Sequence, residues 1–140
     1  MPTPRVAGRL GYLLKHAQMQ YAELTTEAMR PHGITGRQCA VLTAIDDQEP
    51  QSQQEVARRL DLDRTTMVAL IDELEAKGLV SRSPAPDDRR KNVVALTALG
   101  RGTLTAALAA TTEAENTFLA PLSRSDAEAF RRLLAAVVRT

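Results

Sequence analysis

The chain has 140 residues, 18 lysines and arginines against 17 aspartates and glutamates, and a formal net charge of +1. This length predicts a single domain that buries roughly two-thirds of its unfolded surface, and it leaves no room for a second, catalytic domain. The near-neutral charge excludes a broadly basic surface, so any face that binds nucleic acid must be narrow. Aromatic residues make up only 3% of the chain and tryptophan is absent, which favours an aliphatic, helical core.

The remaining composition argues for a cytoplasmic protein without crosslinks. No run approaches the roughly 20 apolar residues of a membrane span, and the N-terminus lacks the apolar core of a secretory signal. The single cysteine cannot form an internal disulfide, which agrees with a reducing compartment.

The N-terminal segment is predicted to form one long amphipathic helix from about Pro4 to Met29, ended by Pro31 and Gly33. A second helix opens at Ile34 and Thr35 and stops near Asp46 and Asp47. The stripe on the first helix consists of Leu10, Leu13, Leu14, Ala17, Tyr21, Leu24 and Ala28, and that on the second of Gln38, Val41, Leu42 and Ile45.

Two shorter helices follow, joined by a tight turn from Asp61 to Asp63. Ser52 and Glu55 have the spacing of a capping box, which predicts the start of the first of them. Asp63 is a good N-cap for the second, which Gly78 ends. The predicted core positions are Val56, Ala57, Leu60, Met67, Leu70, Ile71 and Leu74. The start of the second helix then presents Arg64, Thr65 and Thr66 on a free face, where they can donate to phosphates or base edges.

A hairpin is predicted directly after this helix. Leu79 and Val80 begin one strand, and Asn92 to Thr97 forms the returning strand. The tip, Ser83 to Lys91, holds two prolines, two aspartates and three consecutive cations, which suits an exposed turn. Helix, turn, helix and hairpin together predict a mainly α (α+β) fold, a winged helix-turn-helix with a two-stranded β-wing.

The C-terminal third is predicted to be helical and to mediate dimerisation. Thr97 caps an alanine-rich helix reaching about Phe118, although Gly100 and Gly102 weaken its first turns, and Pro121 ends it. A last helix starts at Ser123 or Ser125. Because the stripes at both chain ends need a partner, we predict that they pack together and against a second subunit. The predicted interface residues are Leu10, Leu13, Leu14, Phe130, Leu133, Leu134, Val137 and Val138.

With these elements in place, the chain closely resembles the MarR (multiple antibiotic resistance regulator) family. The residues that carry the resemblance are Leu74, Gly78-Leu79-Val80, Arg82, Asp88-Arg89-Arg90, Val94, Leu96-Thr97 and Gly100. The resemblance implies a homodimeric bacterial transcription regulator, usually a ligand-responsive repressor, that binds a pseudo-palindromic operator. It implies one domain over residues 1–140, with dimerisation helices at about 1–34 and 98–140 and a DNA-binding lobe at about 35–97.

The resemblance also suggests roles for individual residues. Arg64, Thr65 and Thr66 match major-groove readers, and Gln53 and Gln54 match phosphate contacts. In the wing, Arg90 matches a cation that enters the minor groove, and Asp88 matches the acid that orients it. The full set of predicted DNA-binding residues is Gln53, Gln54, Arg64, Thr65, Thr66, Arg82, Asp88, Arg89, Arg90 and Lys91.

An effector pocket is predicted where the dimer helices meet the DNA-binding lobe, as the family resemblance implies. It would take a small aromatic or phenolic anion. Its candidate residues are Tyr12, His16, Gln20, Tyr21, His32 and Arg37. The alternative is that both tyrosines pack in the dimer interface and the histidines are ordinary surface residues.

Two other functions stay open at this point. A redox sensor would act through Cys39, although a buried, inert thiol fits its place in an apolar stretch better. A winged helix used as a protein-interaction module is the second alternative. Two histidines and one cysteine lack the spacing of metal ligands, and no glycine-rich phosphate loop, HExxH motif or nucleophile-base pair is present, so neither a metal, a cofactor nor an enzyme activity is predicted.

Overall fold

The computed structural model describes residues 1–46 and 51–139. A 3₁₀ turn, Arg30–His32, lies between the second and third helices. In chain order the other elements are α1 (Pro4–Ala7), α2 (Leu10–Met29), α3 (Gly36–Asp46), β1 (Gln51–Ser52), α4 (Gln53–Arg59), α5 (Arg64–Ala76), β2 (Val80–Pro84), β3 (Asn92–Leu96), α6 (Ala98–Leu119) and α7 (Arg124–Val137). The predicted winged helix-turn-helix architecture is confirmed.

The N-terminal helix is not continuous, and the prediction of a single helix from Pro4 to Met29 is wrong. The chain leaves the helix at Gly8 and Arg9, and Arg9 has extended backbone (ψ 138°) as the N-cap of α2. Glycine is a poor helix former, and the apolar stripe begins only at Leu10. The short α1 buries no residue, so packing does not oppose the break.

Side-chain caps fix the first turns of helices α3, α4 and α5. Ser52 and Glu55 form the predicted capping box at α4, and Asp63 accepts a 2.9 Å hydrogen bond from the Thr66 N–H at the start of α5. At α3 the cap is Thr35, whose hydroxyl accepts from the Gln38 N–H at 3.1 Å. Helix α3 ends at Asp46, and the predicted end at Asp47 lies outside the described residues.

The core lies between α3, α4, α5 and the sheet. Its largest fully buried side chains are Leu42, Met67, Ile71, Leu74, Val41, Val56 and Val94. Leu104 and Ala107 of α6 are also buried in this core. Helix α6 therefore contributes to the lobe beyond the boundary predicted at residue 97, because its first half covers the same apolar cluster.

The predicted wing is present as two paired strands. Strands β2 and β3 are antiparallel, from Val80 opposite Leu96 to Pro84 opposite Asn92. The two-residue β1 pairs with the other edge of β3, which gives the order β1-β3-β2. Such a short strand has no periodicity in the sequence, so the sequence pattern does not predict it. Thr97 follows β3 rather than ending it and caps α6.

Helix α7 begins after the Ser123 cap and ends at Val137, with Val138 just beyond it in extended conformation. Its apolar stripe is largely uncovered in the single chain, since Leu133 is 57% and Val137 73% exposed. An uncovered stripe of this size favours a partner surface. Among the described residues, no helix is both long and apolar enough to cross a membrane.

Candidate nucleic-acid interface

A concave groove of about 520 Å³ opens between α4, the start of α5 and the wing. Four cations contribute to its lining, and they come from all three elements. The lining residues are Ser52, Gln53, Gln54, Ala57, Arg58, Asp61, Leu62, Arg64, Met67, Arg90, Lys91 and Asn92. The groove therefore concentrates positive charge on one face of a nearly neutral chain, as a narrow DNA-binding face requires.

The turn between α4 and α5 sets the position of the helix start in this groove. Asp61 has φ +54°, in the left-handed region that aspartate tolerates better than most residues. The Leu62 N–H donates to the Ala57 carbonyl at 2.9 Å, which closes the turn. The hydrogen bonds from Thr66 hold the pKa of the Asp63 carboxyl below its usual range. The charged cap keeps the first turn of α5 ordered where it faces the groove.

Arg64, Thr65 and Thr66 occupy this first turn, as predicted. Arg64 and Thr65 are exposed, whereas Thr66 is half-buried. Arg64 lines the groove. The geometry leaves Arg64 and Thr65 accessible to a partner and places Thr66 between the surface and the core.

In the wing tip, Arg90 contacts Asp88. The Asp88 carboxylate accepts a 3.0 Å hydrogen bond from the Arg90 backbone N–H and lies 3.5 Å from its Nε. The Arg90 side chain is 93% exposed. The pairing of the acid with the cation two residues later is therefore present, and the guanidinium remains open to solvent. Arg89 and Lys91 are exposed beside it, but only Lys91 lines the groove.

The two glutamines of α4 differ in their surroundings. Gln54 is exposed and lines the groove. Gln53 is half-buried, and its Oε1 accepts a 3.1 Å hydrogen bond from Arg82 Nε. Arg58 is an exposed groove residue that is absent from the predicted DNA-binding set. Its spacing of four residues from Gln54 places both on one helix face, and this spacing is the feature that indicates it.

Arg82 is held inside the lobe rather than presented to a partner. Its guanidinium contacts Asp72 at 2.7 Å and Glu75 at 3.2 Å, and its side chain is only 19% exposed. It also donates to the Val68 carbonyl at 3.5 Å. Through these bonds Arg82 of β2 joins the wing to α5 and, through Gln53, to α4. These contacts of Arg82 are all within the chain, and its direct contact with DNA stays a prediction.

Replacing Arg82 with alanine is expected to lower the free energy of unfolding by about 1–2 kcal/mol, because several half-buried hydrogen bonds are lost and partial exposure screens the ion pairs. Urea unfolding of the variant and the wild type measures this difference. Arg101→Ala, at an exposed arginine of α6, is the matched control and is expected to keep wild-type stability. Equal stability of both variants would show that Arg82 has no such role.

Cys39 has the environment of an inert thiol. It is 7% exposed, and burial raises the pKa of the thiol above its usual value. The reactive species is the thiolate, so a raised pKa leaves less of it at neutral pH. This environment disfavours the redox-sensor alternative.

We expect the Cys39 thiol of the folded protein to react with a thiol reagent such as DTNB far more slowly than the same thiol in urea. The rate should rise with pH, because the thiolate fraction increases, and should level off only above the raised pKa. We also expect hydrogen peroxide to leave DNA binding unchanged in both the wild type and Cys39→Ser. A peroxide-induced loss of binding that Cys39→Ser abolishes would restore the redox interpretation.

The predicted effector residues are not brought together in one described cavity. A cleft of about 300 Å³ lies between α2, α6 and α7, and of the six candidates only Tyr21 lines it. Tyr21 packs edge-on against Phe118, with 5.6 Å between ring centroids, and burial, followed by the charge of Glu115, raises its pKa. Tyr12 and His16 form a separate pair with ring centroids 4.1 Å apart. Gln20 and Arg37 are exposed, and His32 lies half-buried in the 3₁₀ turn.

Comparison with known proteins assigns this architecture to a family. Residues 32–91 match the MarR family. The chain is 33% identical over 101 residues to the HTH-type transcriptional repressor NicR of Pseudomonas putida, a match that covers 72% of the chain. The matched segment spans 64% of NicR's length.

Solved structures extend the similarity to nearly the whole chain. The transcriptional repressor CouR bound to a 23-mer DNA duplex is 33% identical, with a TM-score of 0.89 and 99% of both chains covered. CouR from Rhodococcus jostii RHA1 bound to p-coumaroyl-CoA is 29% identical, with a TM-score of 0.78, 96% of this chain and 95% of that chain covered.

Proposed function

Since the chain belongs to the MarR family, we propose that it is a sequence-specific transcriptional regulator that binds double-stranded DNA as a homodimer. The observation that carries the proposal is the groove in which Arg58, Arg64, Arg90 and Lys91 converge. It lies beside the first turn of α5 and the wing, the two elements that a winged helix uses on DNA. The similarity to the DNA-bound repressor CouR supports DNA binding by this chain.

Within this proposal, the groove residues divide by what their side chains can reach. Arg64 and Thr65 at the exposed helix start would read base edges in the major groove, with Thr66 beside them. Arg90, oriented by Asp88, would enter the minor groove, where narrow A·T-rich segments attract a guanidinium.

The remaining groove-side residues would bind the phosphate backbone. These are Gln54, Arg58, Arg89 and Lys91, which are all exposed. Gln53 and Arg82 would hold α4, α5 and the wing in register, since their side chains bond to each other. A small set of phosphate contacts predicts moderate affinity with a strong dependence on salt.

The dimer would be built from the chain ends. Leu10, Leu13 and Leu14 of α2 are at least half exposed, as is Leu133 of α7. Burying these side chains against a second copy would place two α5 helices on one duplex, about one helical turn apart, and would match a pseudo-palindromic operator.

We further propose that the regulator is a repressor that responds to a small aromatic ligand. The binding of p-coumaroyl-CoA by CouR supports this class of effector, and the cleft that Tyr21 and Phe118 line offers aromatic contacts near the dimer helices. A ligand that stabilises a separation of the two α5 helices different from that in the DNA complex would lower the affinity for DNA. DNA would lower the affinity for the ligand by the same factor.

The experiment that tests the proposal is a titration of the purified protein against its own upstream intergenic duplex and a scrambled duplex at two salt concentrations. We expect a dimer to bind the intergenic duplex more tightly and to lose affinity as salt rises. Equal weak binding to both duplexes would place the operator elsewhere. No binding to either duplex at low salt would contradict the proposal and favour a protein-interaction module.

A further inference from the structure

Gln38 of α3 is the one buried polar side chain among residues 1–46 and 52–139, with 3% of its surface exposed. Both ends of its amide are hydrogen-bonded. Nε2 donates to Glu73 Oε2 at 2.8 Å, and Oε1 accepts from the Thr35 N–H at 3.1 Å and from Lys77 Nζ at 2.9 Å. A buried amide that lacked these partners would cost free energy, so the three bonds are required together.

The partners of Gln38 connect two separate parts of the lobe. Glu73 lies in the C-terminal half of α5, and Lys77 is its C-cap. Lys77 Nζ also donates to the Gly33 carbonyl at 2.7 Å. Gly33, with φ +68°, ends the 3₁₀ turn that joins α2 to α3. The network therefore ties the junction between α2 and the lobe to the helix whose first turn faces the groove.

Apolar packing alone would not fix this helix in the same way. Ile71 and Leu74 hold α5 against the core, but hydrophobic contact is non-directional. Hydrogen bonds at both ends of one amide restrict sliding and rotation of α5 relative to the junction. Because α5 is a rigid element, a shift at Lys77 displaces Arg64 at its other end.

We infer that Gln38 is a positioning residue for DNA recognition, which locks α5 to the α2–α3 junction through Glu73 and Lys77. The inference rests on the proposed function. It makes the junction at Gly33 the point where movement of α2 is transmitted to the DNA-reading surface.

The test is a double-mutant cycle built on Gln38→Glu and Glu73→Gln. Gln38→Glu places two carboxylates against each other, and we expect operator affinity to fall about tenfold, the scale of a disrupted buried hydrogen-bond pair. Glu73→Gln alone keeps an acceptor for Gln38 and is expected to bind nearly as the wild type does. In the double variant the amide introduced on α5 donates to the carboxylate introduced on α3, so we expect affinity to return. Failure of Glu73→Gln to rescue Gln38→Glu would overturn the inference.

Gln38→Met is the second variant, since it removes the hydrogen bonds but keeps a buried side chain of similar length. Glu73 and Lys77 are exposed enough to be hydrated without Gln38, so this variant is expected to fold. Its affinity should fall with the salt slope unchanged, because no phosphate contact is lost. A slope lowered by about one would instead indicate a direct DNA contact.

Hydrogen exchange of the free protein separates this inference from the proposed function. We expect Gln38→Met to lose amide protection in α5 and around Gly33 while α7 stays unchanged. Unchanged protection in α5 would overturn the inference even if the wild type binds its operator. If Gln38→Met loses protection in α5 but the wild type binds no duplex, the link between α5 and the α2–α3 junction would be supported and the proposed function contradicted.

Discussion

Replacing Gly100 with alanine is expected to lower the free energy of unfolding by about 3 kcal/mol or more, a large effect for the addition of one methyl group. A Cβ at this position would overlap the Leu79 carbonyl oxygen and lie 2.9 Å from the Leu79 carbonyl carbon. That carbonyl accepts a 3.1 Å hydrogen bond from the Thr97 N–H. The Leu79 backbone cannot move away from the added methyl group without breaking this hydrogen bond, which joins the start of α6 to the residue before β2.

Gly102→Ala is the matched control, two residues further along the same helix. A Cβ there has no heavy atom within 4 Å. The change in stability therefore depends on helix propensity, and alanine is expected to stabilise the protein by up to about 1 kcal/mol. Urea or thermal unfolding of the two variants measures the contrast. If Gly100→Ala were as stable as Gly102→Ala, the close approach of α6 to Leu79 would be wrong.

Replacing Arg90 with alanine is expected to weaken operator binding about tenfold to a hundredfold at low salt, the range for one charge-assisted hydrogen-bonded contact. The slope of log affinity against log salt should fall in magnitude by about one, because a cation in the minor groove also displaces a counterion from the duplex and that cation is lost. Fluorescence anisotropy over a salt series measures both quantities. Arg101→Ala, an exposed arginine outside the groove, should change neither.

Asp88→Ala separates orientation from simple charge. Removing an acid from a DNA-facing wing should strengthen binding if only net charge matters. If Asp88 orients Arg90 through the hydrogen bond to its backbone and the contact to Nε, binding should weaken instead. Tighter binding by Asp88→Ala would contradict the orienting role.

Features determined by neighbouring residues were predictable from the sequence. The capping box at Ser52 and Glu55, the Asp63 cap and the buried face of α5 depend on spacings of three or four residues, and all are confirmed. The contact between Asp88 and Arg90 also spans only two residues, but its prediction comes from the family resemblance and not from spacing. The break at Gly8 and Arg9 was missed because an apolar stripe that starts at Leu10 does not show how far the helix extends before it.

Features determined by distant residues were not predictable in this way. The sequence predicts that Arg82 contacts DNA, but it does not indicate the ion pairs of Arg82 with Asp72 and Glu75 on another element. The sequence pattern places Gln38 in a helical stripe but does not indicate its hydrogen bond to Glu73, 35 residues away. Gly100 and Gly102 were both expected to weaken α6, whereas only the first lies against the Leu79 backbone. Each difference arises where tertiary packing decides the role of a side chain.

Hydroxyl-radical footprinting of the intergenic duplex tests whether the groove between α4, α5 and the wing binds a two-fold operator. We expect two protected half-sites with centres about one helical turn apart, each flanked by minor-groove protection from the wing that disappears in Arg90→Ala. A single protected site, or a footprint that Arg90→Ala leaves intact, would contradict this mode of binding.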